Sequence, residues 1–311
     1  MREFKPKRLN KGPFLAAASG AVLCQALAAP VAAQTGEAAR ASQTIDDIVV
    51  TAQKRSERLS DVPISITALG EGEMARQGTR TIEDIGRVTP GLVMVPTGLG
   101  SGGVPIMRGV SSLAGAATVG VYIDDVPVQI RPSSFAGNPN PYLFDIDRVE
   151  VLRGPQGTLY GASSMGGTIR YVTKAPSYTE TSGQFRAEVA TVDDGNMNYE
   201  AAAAFGGPLV QDKLAMRVSA LYRREGGFID RRDRITSAVV DEDIDDSETI
   251  AVNATVAWRA TDNLEIKPAL FFQQVERDDV PIYMPALPKF SQFNTSEQPG
   301  KDYFYVPSVT M

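Results

Sequence analysis

Three groups of residues in this chain have types and spacing suited to chemistry or recognition. The first is Asp46-Asp47-Ile48-Val49-Val50-Thr51-Ala52, a β-branched run beside Lys54, Arg55, Glu57 and Arg58. A lone strand leaves backbone N–H and C=O groups unpaired, so it pairs with a sheet edge, either on another protein or in its own domain. Residue chemistry leaves both open. The second group is Arg108, Glu150 and Arg153, charges set among apolar neighbours. On a surface such charges form ion pairs worth little. The third is the acidic run Asp241-Glu242-Asp243 with Asp245-Asp246. Its spacing fits no calcium loop, so it reads as a solvated outer loop.

Two glycine-rich stretches, Gly154-Pro155-Gln156-Gly157 and Gly166-Gly167, raise the question of phosphate binding. No Lys-Ser/Thr pair follows them and no dinucleotide spacing fits. Their use is conformational: glycine backbone angles let a strand reverse tightly.

Much chemistry is excluded by composition. The 311 residues contain no His and a single Cys, Cys24. Cys24 lies in an N-terminal segment where Arg2, Lys5, Lys7, Arg8 and Lys11 precede an apolar stretch at 14–29 and the small residues Val31-Ala32-Ala33. That order reads as a cleaved secretory signal at 1–33, short for a spanning helix. Leu23 before Cys24 is not the small residue that lipidation wants. Without residues 1–33, five basic residues and one acid are lost and the net charge moves from −6 to −10. The mature chain then has no thiol or imidazole, which removes disulfides, zinc–thiolate sites and Ser-His or Cys-His nucleophile pairs. No enzyme, resident cofactor or metal site is expected, and the acidic surface argues against a nucleic-acid partner.

The elements that must position these residues fall into three regions. Residues 34–58 read as a flexible polar linker ending in the β-branched run. Residues 59–176 mix helix and strand: strands at 63–69, 119–128, 148–152 and 169–173, helices at 71–77 and 81–88. Thr81, Glu83 and Asp84 favour the second helix start. This is an α+β domain with a small mixed sheet. Residues 177–311 alternate with period two. Phe185, Ala187 and Val189 oppose Gln184, Arg186 and Glu188, and four further segments repeat the pattern up to Phe272, giving five strands. A soluble sandwich would alternate likewise. The aromatics near strand ends (Phe185, Tyr199, Phe205, Tyr222, Trp258, Phe272) favour a transmembrane antiparallel barrel with interfacial girdles. Short connections at 206–213 and 260–263 against a long one at 225–248 fit that architecture. Residues 277–311 read as another long loop.

Together, the run at 46–52, Ile106-Met107-Arg108-Gly109-Val110, Val121-Tyr122-Ile123-Asp124-Asp125-Val126-Pro127, and Asp147 to Gly161 running on through Gly166-Gly167-Thr168-Ile169 resemble the plug of TonB-dependent outer-membrane receptors. The resemblance covers roughly residues 45–176 in the family's order. It implies that Asp46 to Ala52 is a TonB box. It implies that Arg108, Gly109, Asp124, Glu150, Arg153, Gly154, Gly157, Tyr160, Gly161, Gly166 and Gly167 are plug structural positions. Plug arginines in this family meet barrel carboxylates, and Arg153 is the candidate here. The apices at 96–103 and 131–141 would face the ligand, with Thr97, Ser101, Arg131, Ser133, Asn138 and Asn140 as candidates.

The implied function is energy-coupled uptake, across the outer membrane of a Gram-negative bacterium, of a scarce nutrient too large for porins. The resemblance suggests a ferric siderophore or other iron complex, less often cobalamin, haem or a carbohydrate. The implied partners are TonB with its inner-membrane energising complex, outer-membrane lipid and the small-molecule ligand. Five strands cannot close a barrel that in this family has about 22, so the chain reads as an N-terminal receptor fragment. The alternative is a non-transporting plug protein that binds TonB or ligand in the periplasm.

Overall fold

Helix α1 (Glu71–Gln77) starts with Glu71 and Glu73 in its first turn, where negative charge meets the helix dipole, and ends at Gly78 in the left-handed region (φ 64°). Helix α2 (Ile82–Val88) starts at Thr81, whose capping box with Asp84 ties up the first free amides. Both helices lie where the sequence placed them. The computed structural model describes residues 49–95, 103–112, 116–128 and 140–311.

The first region contains strands β1 (Val49–Val50), β2 (Glu57–Arg58), β3 (Ile66–Gly70), β4 (Leu92–Val95), β5 (Val104–Met107), β6 (Val119–Ile123), β7 (Val126–Pro127), β8 (Ile146–Arg153) and β9 (Gly167–Thr173), with a one-turn helix α3 (Gly157–Tyr160) before β9. Five of these form a mixed sheet in the order β3-β8-β9-β6-β7, with β6 and β9 parallel. β1 pairs with β2, and β4 with β5, as separate antiparallel hairpins. The strand expected at 119–128 is two: Asp124, at φ 52°, turns the chain between Ile123 and Val126. The β4–β5 hairpin and α3 were not expected from the sequence. Their runs are too short to show a period. Ile82 and Ile85 of α2, Met107, Val149, Val151 and Ile169 form the core of this domain.

The second region is one antiparallel sheet of six strands: β10 (Ser182–Thr191), β11 (Met197–Val210), β12 (Leu214–Glu225), β15 (Ser247–Thr261), β16 (Leu264–Arg277) and β18 (Gly300–Thr310). The long connections carry β13 (Asp230–Arg232), β14 (Val239–Asp241) and β17 (Ser291–Gln292), a small sheet of their own in the order β14-β13-β17. Outward positions are large and apolar: Phe185 is 74 % exposed, Phe205 59 % and Trp258 49 %. Inward positions are small or polar: Glu200, Ala202, Ala204, Arg217, Ser219 and Gln273 are buried. A sheet that is apolar outside and polar inside is the pattern of a lipid-facing wall. Among the described residues no helix is long and apolar enough to cross a membrane, which leaves strand-borne crossing open.

The count corrects the sequence reading of five strands. Residues 300–310 looked like loop because both faces of β18 are apolar. Tyr303, Tyr305 and Val309 point outward, while Phe304 and Val306 pack on the core of the first region. Phe304 also stacks on inward-facing Phe271 at 5.6 Å. A strand that buries apolar side chains against the domain it encloses loses its alternation.

Candidate functional site

Period two on β8 puts Arg148, Glu150 and Leu152 on one face, and the register with β9 sets Glu150 opposite Arg170. Glu150 is fully buried. Its carboxylate accepts Arg148 Nε at 2.8 Å and Arg170 Nη1 at 3.2 Å. Onto this ion cluster lies Thr51. Its backbone N–H donates to Glu150 Oε1 at 2.9 Å, and its hydroxyl accepts from Arg148 Nη2 at 3.0 Å and from Arg170 Nη1.

The flanking residues are held as firmly. Val50 and Ala52 are fully buried. Tyr160, presented by α3, donates its hydroxyl to the Ala52 carbonyl at 2.7 Å. Burial pushes the Tyr160 phenol up to about 12, so it remains a donor at neutral pH. Lys54 pairs with Asp125 and sits 5.0 Å from the Tyr160 ring centroid. Val49, by contrast, is half exposed and among the described residues pairs with Arg58 of β2. Of the two pairings left open by the residues, the structure contains the internal one. Asp46, Asp47 and Ile48 lie outside the described residues.

The other plug positions resolve as geometry. Arg108 and Gly109 form a two-residue turn with positive φ at both (52° and 79°), closed by Val110 N to Met107 O at 2.9 Å. Burial pushes the Asp124 carboxyl up, although Thr173 N and Oγ1 both donate to it, at 2.8 and 2.9 Å. Gly154 takes φ 105° where β8 ends, Gly157 opens α3, and Gly161 caps it at φ 66°. Only Gly154 and Gly161 therefore use a glycine-specific backbone angle in that stretch. Gly166 N donates to Thr118 O at 2.8 Å, and its amide neighbour Gly167 admits no side chain: a Cβ there would lie 2.1 Å from Met107 Sδ and 2.3 Å from Leu152 O.

Among the described residues Arg153 meets no wall carboxylate. It donates to the carbonyls of Pro90 (3.2 Å) and Ile66 (3.4 Å), both within its own domain. Among the described residues, the plug arginine on a wall carboxylate is Arg80, which forks onto Glu188 of β10 with Nη1 to Oε1 at 2.6 Å. A second lock has the opposite polarity. Asp145, buried and at φ 59°, accepts Arg217 Nε of β12 at 2.7 Å and Gln184 Nε2 of β10 at 3.1 Å. Phe144 packs beside it on Ala202, Ala204, Leu221 and Ala251 of the wall. Sequence reasoning missed Arg148, Arg170, Arg80 and Asp145. The only visible signal was Arg148-Val149-Glu150, charges of opposite sign two apart on a strand.

Of the ligand-facing candidates, Thr97, Ser101, Arg131, Ser133 and Asn138 lie outside the described residues. Asn140 is engaged elsewhere: Oδ1 accepts Ile82 N at 3.1 Å and Nδ2 donates to Glu83 at 2.7 Å. In the acidic loop, Asp245 accepts Phe228 N and Ile229 N at 2.8 Å each, and Asp246 accepts Arg224 Nη2 at 2.8 Å. These carboxylates stitch the loop, and no metal-holding cluster occurs among the described residues.

The TonB-dependent Receptor Plug Domain family matches residues 58–168. The pesticin receptor of Yersinia pestis is 33 % identical over 200 residues, 63 % of this chain and 27 % of that protein. The ferripyoverdine receptor of Pseudomonas aeruginosa is 28 % identical over 199 residues, 62 % of this chain and 23 % of that protein. The chain thus spans about a quarter of the length of these relatives. Among solved structures, the ferric yersiniabactin uptake receptor of Yersinia pestis superposes with TM-score 0.62 at 24 % identity, over 79 % of this chain and 38 % of that one. The outer-membrane ferripyoverdine receptor of Pseudomonas aeruginosa gives TM-score 0.64 at 20 % identity, over 84 % of this chain and 33 % of that one. Both share its fold. Residues 58–168 thus match the plug domain of TonB-dependent receptors, and the plug with the strands that follow it shares the fold of the solved receptors.

Proposed function

We propose that the chain acts in an outer-membrane receptor that imports an iron complex, driven through TonB, after export by the signal at 1–33. The observation that carries this reading is the two-faced wall. Phe185, Phe205, Trp258 and Tyr305 are exposed on its outer side, while the plug is locked to its inner side through Arg80–Glu188 and Asp145–Arg217. Water would not tolerate that outer face, and lipid would. A plug on the polar side blocks the lumen until it moves. Of the similar proteins, the ferripyoverdine receptor and the ferric yersiniabactin uptake receptor are named for iron complexes, which supports an iron complex as cargo. They are receptors and not catalysts, in keeping with the missing imidazole and thiol chemistry.

The segment at 49–52 supplies the coupling handle in this reading. Val49 is half exposed, and a pull transmitted through it would peel Thr51 from Glu150 before any sheet hydrogen bond of β8 is lost. TonB would pair edge-on with the released strand. The work must arrive this way because no nucleotide supply exists at the outer membrane.

The experiment expresses the complete reading frame containing this chain in a host lacking its own ferric receptors. Cells are supplied with radioactive iron as ferripyoverdine, ferric yersiniabactin or hemin, with and without TonB. TonB-dependent accumulation of one of them is expected, and Val49→Pro should abolish accumulation while surface binding persists, because proline removes a strand donor. Accumulation unchanged by Val49→Pro would sink the coupling claim. TonB binding without accumulation of any iron complex would favour the non-transporting plug protein.

A further inference from the structure

Glu83 sits in the first turn of α2, and its two carboxylate oxygens serve different parts of the chain. Oε1 accepts the backbone N–H of Gly103 at 3.2 Å, where the segment connecting β4 to β5 enters β5. Oε2 accepts Asn140 Nδ2 at 2.7 Å, at the base of the segment that leads into β8. Gly103 and Asn140 are 37 positions apart in sequence and share no hydrogen bond of their own. Each lies at the C-terminal end of one of the two segments that the sequence marks as plug apices.

Asn140 extends the connection in both directions. Its Oδ1 accepts Ile82 N at 3.1 Å, an amide of the first turn of α2. Its carbonyl accepts Gln273 Nε2 of the wall at 2.8 Å, and Gln273 Oε1 accepts Tyr142 N at 3.0 Å. Gln273 is 2 % exposed, so these are desolvated contacts without competing solvent. Every polar atom in the series is matched donor to acceptor.

We propose that Glu83 is a positioning residue that couples the bases of the two apical segments to each other and, through Asn140 and Gln273, to the barrel wall. Its consequence for uptake rests on the receptor reading above: a ligand touching one apical segment would be sensed at the base of the other. The coupling itself needs no ligand. Only a carboxylate fits position 83, because both neighbours are donors. Glutamine there would turn its own NH2 toward one of them.

The test uses the full-length protein in detergent micelles, followed by amide hydrogen exchange at Gly103–Met107 and at residues 140–144. Asn140→Ala touches no atom of β5, yet it frees Glu83 and should speed exchange at Gly103 about fivefold to tenfold. Glu83→Gln and Asn140→Asp should each speed exchange at both bases, the first by opposing two donors and the second by opposing two carboxylates. The double variant Glu83→Gln/Asn140→Asp restores the match. The carboxylate it places at position 140 can accept from both Ile82 N and the side-chain amide it places at position 83. Exchange in it should return to within about twofold of wild type. The proposal is overturned if Asn140→Ala leaves Gly103–Met107 unchanged, or if the double variant shows the sum of its two single effects. Should Asn140→Ala fail to fold, the double variant alone decides. Failure of iron uptake would not alter these exchange results, so the two readings fail separately.

Discussion

The Thr51 amide donates to the Glu150 carboxylate at 2.9 Å, a hydrogen bond that joins residues 99 positions apart. It places the end of the TonB-box-like segment on a buried ion cluster rather than in solvent. Arg148 and Arg170 hold Glu150 from two sides, and both also donate to the Thr51 hydroxyl. A buried ion cluster is poor evidence for net stability, but removing one member is costly because the others remain desolvated.

Glu150→Gln should therefore cost about 3 kcal/mol of plug stability. Glutamine still offers Thr51 an acceptor, but it removes the charge facing Arg148 and Arg170. The segment at 49–55 should open in the same variant, so limited trypsin digestion should cut after Lys54 and Arg55 faster than in wild type. A cleavage rate matching wild type would mean that Glu150 does not hold the strand.

Asp145 and Arg217 should couple across the plug–wall junction. Both side chains are buried, so either single alanine leaves a desolvated charge, whereas the double variant leaves none. A double-mutant cycle on denaturant unfolding of the plug should give a coupling of about 2 kcal/mol. The same cycle on Arg153 and Glu188 should give about zero, because Arg153 bonds only to carbonyls of its own domain. Additive effects of the Asp145 and Arg217 variants would remove this lock from the account.

Gly167→Ala should cost about 3 kcal/mol, near the upper end for overpacking. The added Cβ would meet the Met107 sulfur at 2.1 Å and the Leu152 carbonyl at 2.3 Å, and backbone atoms cannot swing aside. Gly157→Ala is the control: nothing lies within 4 Å of its added Cβ and the residue opens α3. Equal melting temperatures for the two variants would contradict the close approach of β5 to β9.

Asp124 should make the plug's stability depend on pH in the direction opposite to a salt-bridged carboxylate. Burial raises its folded value above the ordinary one, with the Thr173 bonds opposing. Its contribution is then full below the unfolded value of about 3.9 and is lost as pH rises through the raised folded value. Asp124→Asn tolerates the positive φ and carries no charge to bury. Relative to wild type it should gain stability in thermal melts as pH rises above about 4, a difference in which other titrating groups cancel. A variant that loses ground over that interval would reverse the sign assigned here.

What the sequence determined by itself was local or periodic. Helices at 71–77 and 82–88 follow from acidic first turns and a capping box. The outward faces of the first five wall strands follow from alternation, since one lipid-facing side and one enclosed side leave a period of two in the residues themselves. The long motif from Asp147 to Gly167 also pointed to the plug, because tight reversals and close approaches restrict residue type at Gly154, Gly161 and Gly167. Tertiary structure alone decided what each charge faces. Among the described residues Arg153 bonds to the carbonyls of Pro90 and Ile66, while Arg80 and Asp145 take the wall. Asn140, expected to face a ligand, caps α2 and holds Glu83. The sixth strand escaped notice because its inward side is apolar against the plug. In each case the deciding partner lies far away in sequence, and a side chain's type states which bonds it can make but not which distant group arrives to make them.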